Sequence, residues 1–418
     1  MNDRLGRRAC LLATAGLLAC NTSASVGRAH ATLWFCYGGK NREVLLDLVG
    51  RFNRNQSKYV IDAVYQGDYF ECLAKLRTAL AAGLGPTFSH VVGEVLPYLS
   101  STGVLESLDE YPGAHSLGFV RELAQAGAYV GGDKQPLFGI PFNRSTPIMY
   151  ANEPALQEAG VSIPDTWDEL LGAAKKLYRP GNDMRWGFEV PISWWFWVAL
   201  VGQSGGRVVE PDGTVSLGFD AGVHAVEFLQ ELVHKHGVMR PPPGRDYNAW
   251  DATNLDFLSA RAPLTWTSTA FLRYLEQNAK FPVRACKLPR HVRYSVPTGG
   301  TLFVMLAHAK RAEKEAAWAF LRWMCETDQT IDWATRTGYL PVTEAAIEKL
   351  RKGGYYDKHP NDWVAYAQLK SAEPWPWAPH LFRVQRNIID PRLEEAVLLN
   401  RPARTVLDEA RREAKEEG

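Results

Sequence analysis

The strongest constraint on the fold is the alternation of strand-like and helix-like segments from residue 32 to residue 92. The strand-like segment "TLWFCY" precedes "REVLLDLVGRF", in which apolar residues recur at helical spacing at Leu45, Leu48, Val49 and Phe52. A second strand, "YVIDAVY", a second helix, "YFECLAKLRTALAAG", and a third strand, "TFSHVV", follow. This order predicts right-handed β-α-β units, a parallel sheet and therefore an α/β fold.

The central region is more helical, and strand-like sequence returns later. "TWDELLGAAKKLY" begins with a capping box in which Thr166 faces Glu169. Near residue 297, "VPTGGTLFVML" predicts a strand that begins at glycine, and the last hundred residues are predicted to be helical.

The segment "TRTGYLPVTEAA" separates two of these helices with a stiff turn. Gly338 is expected to end the first helix, and Pro341 prevents its continuation. Tyr339 between them has two interpretations: its ring fills a gap in the core, or its hydroxyl faces a ligand.

The N-terminus has the pattern of an export signal. Arg4, Arg7 and Arg8 precede the apolar run "ACLLATAGLLAC". Cys20 ends a lipobox-like "LLAC" and is the favoured processing and lipidation point, whereas "AHA" at 29–31 fits an ordinary signal peptidase. The arginine pair leaves twin-arginine export open. Because no later segment approaches eighteen uninterrupted apolar residues, we expect a periplasmic protein, or a lipoprotein anchored through Cys20, that does not cross the membrane.

Charge and cysteine spacing argue against several classes of function. The chain has 47 Lys and Arg against 46 Asp and Glu, a net charge of +1, without a dense basic stripe, so no nucleic-acid partner is predicted. Cys36, Cys72, Cys286 and Cys325 lack C-x-x-C or zinc-like spacing, so neither a metal site nor a cofactor is expected. One disulfide and buried free thiols both remain open.

One catalytic pattern is present. "GQSGG" (202–206) fits G-x-S-x-G with Ser204 as a nucleophile, which requires a strand before it and a helix after it. The preceding "WWFWVALV" could form a strand, but "RVVEPDGTVSLGF" after it indicates strand and turn. We therefore favour a glycine-rich hairpin and a protein that is not an enzyme, with a secreted serine hydrolase as the lesser alternative.

Several segments resemble one family. They are "YQGDYFECLAKL", "IPFNRSTPIMYANE", "LTWTSTAFLRYL", "PTGGTLFVM", "RTGYLPVTEAA" and "RNIIDPRLEEAV". The chain is similar to the periplasmic solute-binding proteins of carbohydrate-type ABC importers (extracellular solute-binding family 1), and most closely to the subgroup that binds sn-glycerol-3-phosphate and glycerophosphodiesters.

The resemblance implies two α/β lobes, joined by crossover strands, that close by a hinge on a ligand in the cleft between them. After an export signal at 1–20, residues 32–143 and 270–325 would form the N-lobe, and residues 144–269 and 326–418 the C-lobe. The implied function is capture of sn-glycerol-3-phosphate or a glycerophosphodiester for an ABC importer. The partners would be this small molecule and the permease subunits, and a monomer is expected.

The resemblance also implies a set of ligand-binding residues, which are Tyr69, Glu94, Ser145, Trp194, Trp195, Ser268, Gly300, Tyr339 and Arg386. Arg386 would clamp the phosphate in a bidentate manner, because its parallel N–H groups match phosphate oxygens. The phenol of Tyr339 would reach the same phosphate. Tyr69 would offer a hydroxyl from the N-lobe, and Glu94 would accept hydrogen bonds from a glycerol hydroxyl.

The remaining implied contacts come from uncharged residues. Ser145 and Ser268 would line the crossovers, although "TSTA" replaces the S-S-G-S of the family around Ser268. Gly300 would offer a bare backbone N–H that a ligand can approach closely. Trp194 and Trp195 are both candidates for the ring that covers the glycerol carbons.

The same aromatic residues support a rival ligand. Tryptophan faces stack on sugar rings and attract quaternary ammonium groups such as choline. "SWWFW" and "WPWAP" (375–379) could therefore line a site for a neutral mono- or oligosaccharide in the same fold, which is the alternative function.

Overall fold

The computed structural model describes residues 27–127, 136–210, 213–373 and 377–417. The predicted export signal and Cys20 lie outside these residues. The strands are β1 (Ala29–Phe35), β2 (Tyr59–Tyr65), β3 (Phe88–Val92), β4 (Gly139–Ser145), β5 (Pro147–Asn152), β6 (Leu264–Ser268), β7 (Val283–Cys286), β8 (Val296–Pro297), β9 (Gly299–Met305) and β10 (Ala372–Glu373).

The α-helices are α1 (Gly39–Asn55), α2 (Tyr69–Ala81), α3 (Leu96–Ser101), α4 (Arg121–Ala124), α5 (Glu153–Glu158), α6 (Trp167–Leu177), α7 (Trp194–Gln203), α8 (Phe219–Gln230), α9 (Asp246–Leu258), α10 (Leu272–Asn278), α11 (Arg311–Met324), α12 (Thr327–Thr337), α13 (Glu344–Lys352), α14 (Tyr355–Lys358), α15 (Pro360–Ala367), α16 (Leu381–Val384), α17 (Asp390–Leu398) and α18 (Ala403–Glu416). A π-helical turn (Gln385–Ile389) joins α16 to α17. Among the described residues, no helix is both long enough and apolar enough to cross a membrane.

The first sheet contains the strands of the predicted β-α-β unit. Its order is β2-β1-β3-β9-β4, and β1 pairs in parallel with both β2 and β3. The predicted parallel pairing is therefore confirmed for these three strands. The later strand β9 inserts between β3 and β4 and is antiparallel to both, so the sheet is mixed.

The second sheet is antiparallel and begins where the first one ends. Its order is β6-β5-β7. Only Thr146 separates β4 from β5, so the chain passes from the first sheet to the second through a single residue. A small parallel pair, β8 with β10, forms separately from both sheets.

Each sheet has its own apolar core. The first core buries large side chains of the first sheet and of α11 and α12, namely Phe35, Phe88, Phe303, Phe320 and Trp333. The second core packs α6, α7, α8, α17 and α18 around Trp167, Trp194, Trp197 and Trp266. These two are the largest of four apolar clusters among the described residues, and each surrounds one sheet, so they mark two lobes.

The sheets and cores divide the chain differently from the predicted lobe boundaries. Residues 270–325 are predicted to belong to the N-lobe, but β7 within them pairs with β5 of the second sheet. Residues 326–418 are predicted to belong to the C-lobe, but Trp333 of α12 is buried in the first core and Arg336 ion-pairs with Asp47 of α1. Strand pairing and long-range burial decide these boundaries, and neither can be read from local pattern.

The four described cysteines, Cys36, Cys72, Cys286 and Cys325, are all buried free thiols. Of the two alternatives left open by the sequence, the structure therefore shows free thiols at these positions.

A buried histidine lies at the centre of the first core. His90 in β3 is 1% exposed, and its ring stacks on Phe142 with centroids 5.6 Å apart. Phe303 and Tyr37 pack against the same ring. Burial among these rings disfavours the charged imidazolium and lowers the pKa of His90 to about 3.

We therefore expect His90 to make the fold sensitive to acid. An unfolded histidine titrates near pH 6.5, so below that pH the unfolded chain takes up a proton that the folded protein does not. The stabilising contribution is complete above about pH 6.5 and falls by about 1.4 kcal/mol per pH unit as pH drops toward 3. The measurement is the free energy of unfolding in urea at about pH 7 and at about pH 5. Between these two pH values it should fall by about 2 kcal/mol less in His90→Phe than in the wild type.

The control is His308→Phe, because His308 is exposed. The free energy of unfolding of this variant should change between the two pH values by the same amount as that of the wild type. An equal pH dependence in the wild type and His90→Phe would contradict the assignment.

Candidate functional site

A cleft of about 890 Å³ lies between the two lobes. This volume is in the range of small-molecule sites. All nine residues that the sequence resemblance implied line this one cleft, namely Tyr69, Glu94, Ser145, Trp194, Trp195, Ser268, Gly300, Tyr339 and Arg386. Their elements come from both lobes, so both lobes form the walls of the cleft.

Two tyrosines from distant parts of the chain meet in the cleft. The hydroxyls of Tyr69 and Tyr339 are 3.0 Å apart, and Asn143 Nδ2 donates to the Tyr69 hydroxyl at 3.0 Å. The Tyr339 ring stacks on Trp333 with centroids 5.8 Å apart. Burial raises the pKa of both phenols, so each keeps its proton at neutral pH. The Tyr339 ring therefore packs in the core, as one interpretation of its turn predicts, and the residue also lines the cleft, where contact with a ligand stays a prediction.

Local sequence places Tyr339 there. Gly338 has a φ of 90° and ends α12, donating its N–H to Ala334 O at 2.9 Å. Leu340 N then donates to Arg144 O at 2.9 Å, which ties the turn to the end of β4. The turn is thus held against the crossover between the lobes.

Arg386 lies on the π-helical turn and lines the cleft, as predicted, but its donors are already engaged. Its Nη1 and Nη2 donate to the two carboxylate oxygens of Asp246 at 2.7 and 2.9 Å. Nη1 also donates to Asp390 at 3.3 Å. The guanidinium lies over the ring of Phe70 in α2, 4.2 Å from its centroid, so it contacts both walls of the cleft. These carboxylates raise the pKa of Arg386, Asp246 most of all.

Asp390 is the more buried of the two carboxylates. Its Oδ1 accepts a hydrogen bond from Trp194 N at 3.0 Å, at the start of α7. Burial raises the pKa of Asp390 to about 6, although Trp194 N and Arg386 oppose this shift. Near neutral pH the Asp390 carboxyl group is therefore mostly ionised and places a negative charge beside Arg386.

The structure separates the roles of the two candidate tryptophans. Trp194 is 1% exposed, and its ring packs against Trp197 in the second core. Trp195 is partly exposed at the cleft, donates from Nε1 to Thr298 O at 3.3 Å, and packs 5.4 Å from the Trp250 ring. Trp195 is therefore the ring available to a ligand, whereas Trp194 contributes its backbone N–H to Asp390.

Sequence reasoning missed a buried cation behind Glu94. Arg144 is 1% exposed and donates to Gly300 O at 3.2 Å and Thr298 Oγ1 at 2.8 Å. Burial lowers the pKa of Arg144 to about 10, whereas the charge of Glu94 opposes this. Burial raises the pKa of Glu94, and Arg144 lowers it. The arginine stands next to Ser145 in "FNRSTP", but no local pattern marks it as buried.

The structure gives a second reason for a glycine at position 300, beside the predicted ligand contact. Gly300 has a φ of 94°, and a Cβ there would lie 1.8 Å from Asn143 O. The approach of the neighbouring strand β4 therefore requires the glycine by itself, and the contact of Gly300 with a ligand stays a prediction. Ser268 Oγ accepts from Ala270 N at 3.2 Å and caps the turn after β6, and Ser145 is 4% exposed at the crossover.

The serine-nucleophile pattern does not have the required geometry. The segment that could have been a strand is helix α7, and Ser204 follows its last residue. Ser204 Oγ lies 3.5 Å from His291 Nδ1 in an exposed position. Because a helix precedes the serine, the strained elbow between a strand and a helix does not form, and the geometry does not support the lesser alternative of a serine hydrolase.

Helix α9 is one part of the cleft that sequence reasoning did not identify. It contributes Asp246, Tyr247, Trp250 and Asp251 to the lining. The rings of Tyr247 and Tyr69 meet edge to face, 5.7 Å apart, across the cleft. The sequence "DYNAWDATNLDFL" has a weak apolar stripe, so only its aromatic and acidic residues could have drawn attention to it.

Comparison with known proteins places this geometry in a family. Residues 47–368 match the family model described as bacterial extracellular solute-binding protein. The chain is 26% identical over 382 residues to the sn-glycerol-3-phosphate-binding periplasmic protein UgpB of Yersinia enterocolitica, covering 86% of each chain. It is also 26% identical over 398 residues to UgpB of Salmonella typhimurium, covering 90% of each.

Solved structures share the fold. UgpB from Mycobacterium tuberculosis in complex with glycerophosphocholine matches with a TM-score of 0.79 and 21% identity, covering 94% of this chain and 99% of that one. An ABC substrate-binding protein from Listeria monocytogenes in complex with cycloalternan matches with a TM-score of 0.81 and 19% identity, covering 93% and 98%. With its two-lobe α/β fold, its interlobe cleft and a family match over most of its length, the chain belongs to the bacterial extracellular solute-binding proteins.

Proposed function

We propose that this protein captures sn-glycerol-3-phosphate or a glycerophosphodiester outside the cytoplasm and delivers it to the permease subunits of an ABC importer. The observation that carries the proposal is the convergence of Arg386 with the hydroxyls of Tyr69 and Tyr339 on one cleft. A guanidinium and neutral O–H groups are the donors that a phosphate ester requires. The ligands for which the UgpB relatives are named support the same chemistry.

The nine cleft residues have distinct roles in this proposal. Arg386 and Tyr339 bind the phosphate, and Tyr69 binds a neighbouring oxygen. Glu94 accepts from a glycerol hydroxyl, with Arg144 compensating its charge from behind. Trp195 covers the glycerol carbons. The other four residues, Ser145, Trp194, Ser268 and Gly300, shape the floor and wall of the cleft.

The proposal includes the biological setting. The protein binds its ligand without chemical conversion and works as a monomer, in the periplasm or anchored by a lipid on Cys20. The two lobes close around the ligand by rotation at the crossover strands. The periplasmic relatives and the extracellular family support this location.

A neutral saccharide is the second candidate ligand. The rings of Trp195 and Trp250, 5.4 Å apart, form an aromatic wall in the cleft. Such walls stack on sugar rings, and the Listeria structure of the same fold is a complex with cycloalternan.

A thermal-shift panel of sn-glycerol-3-phosphate, glycerophosphocholine, glycerol, maltose and glucose tests both candidates. A ligand that binds only the folded protein stabilises it by about 2.7 kcal/mol at a hundredfold excess over Kd. We expect the phosphate esters to raise the melting temperature and the neutral compounds to leave it unchanged. Shifts with sugars alone would favour the second candidate and contradict the first.

A further inference from the structure

The start of α9 is tied to the segment that carries Arg386. Arg245, immediately before α9, ion-pairs with Glu394 of α17, and Asp246 pairs with Arg386. Asp246 also has a φ of 48°, in the left-handed region that aspartate tolerates better than most residues. Two ion pairs therefore hold one carboxylate against the cleft-lining guanidinium.

Asp246 occupies the donor groups that a phosphate would use. Its two oxygens accept from Nη1 and Nη2 of Arg386, which is the fork geometry that also suits phosphate. Asp390 accepts from Nη1 on the other side. Two carboxylates thus surround one guanidinium, and the local charge is negative when both are ionised.

The other cations that line the cleft do not offset this excess of negative charge. Lys40, whose side chain is 65% exposed, pairs with Glu43 at 3.3 Å. Arg273 and Arg336 each have carboxylate partners outside the cleft lining, which are Glu276, Asp362, Asp47 and Asp332. The lining itself adds three further acids, Asp68, Glu94 and Asp251, of which only Glu94 has the buried Arg144 behind it.

We propose that Asp246 selects the ligand by charge, favouring a phosphodiester over a phosphomonoester. This inference rests on the proposed function, because it assumes that the phosphate binds at Arg386. A phosphate must displace Asp246 from the guanidinium or bind beside it. Either arrangement brings like charges together, and the repulsion is larger for a monoester dianion than for a diester, which carries one negative charge. A diester with a cationic head group adds no net charge at all.

The test compares two ligands on three proteins. Isothermal titration at pH 8, where the monoester is a dianion, measures Kd for sn-glycerol-3-phosphate and glycerophosphocholine on the wild type, Asp246→Asn and Asp251→Asn. Asparagine keeps the shape of the side chain and tolerates the left-handed backbone. We expect Asp246→Asn to bind the monoester about tenfold more tightly and to change the diester by less than about threefold.

Asp251→Asn is the matched control, because it removes the same charge from the same helix and the same cleft. It should change the ratio of the two Kd values by less than about threefold. Equal effects of Asp246→Asn on both ligands, or weaker binding of both, would overturn the inference while leaving the proposed function intact. If the wild type bound neither ligand, the proposed function would fall and this inference with it.

Discussion

Replacing Arg386 with alanine should weaken binding of the phosphate ligand by more than a hundredfold, about 3 kcal/mol. The guanidinium lines the cleft and is the charged donor proposed to hold the phosphate. Its loss also leaves Asp246 and Asp390 facing the ligand without a countercharge. Removal of an attractive cation and exposure of two carboxylates act in the same direction, so the effect on an anionic ligand is large.

The measurement is Kd by isothermal titration, with Arg383→Ala as the control. Arg383 lies on the adjoining α16, its side chain is 56% exposed, and it pairs with Glu417 away from the cleft lining. The control should bind the phosphate ester as the wild type does. A tenfold loss or less in Arg386→Ala, with the fold intact by melting temperature, would contradict a phosphate clamp at this position.

Gly300→Ala should lower the free energy of unfolding by about 3 kcal/mol or more. The added Cβ would lie 1.8 Å from Asn143 O, and the residue would have to keep a φ of 94°. Because β9 pairs with β4 at this point, one of the two strands must shift. Asn143 also donates to Tyr69, so the shift should disturb the tyrosine pair and weaken ligand binding as well.

Gly205→Ala isolates the effect of the backbone angle from that of the collision. Gly205 has a φ of 83°, and among the described residues outside 204–206 no atom lies within 4 Å of the position that a Cβ would take there. Urea unfolding should show a loss of only about 1 kcal/mol for this variant. Equal losses in the two variants would mean that the backbone angle alone, and not the approach of β4, requires glycine at position 300.

Local pattern predicted the first half of the first sheet and failed where long-range contacts decide. The apolar spacing at Leu45, Leu48 and Val49 correctly indicated helix α1 between two strands. Residues 194–201 allow a strand by pattern because they are almost continuously apolar, and such a run has no period that separates a buried helix from a buried strand. The partner of β7 and the packing of α12 depend on contacts far along the chain.

In the candidate site, too, the sequence indicated some features, whereas others depend on contacts between distant parts of the chain. Family resemblance indicated nine residues that the structure brings to one cleft, although Tyr69 and Tyr339 are 270 positions apart in the chain. Neither resemblance nor pattern indicated that Asp246 engages Arg386, a contact across 140 positions. Such a pair needs two charged residues that are individually ordinary in sequence, so only the folded chain reveals it.

The single residue between β4 and β5 limits how the two lobes can move. Because only Thr146 joins the two strands at this point, the lobes can rotate about the junction but cannot separate there. Arg144 and Ser145 adjoin this pivot, and points close to an axis of rotation travel least. A ligand that contacts Ser145 in the cleft would therefore move less during closure than one that contacts only the outer walls.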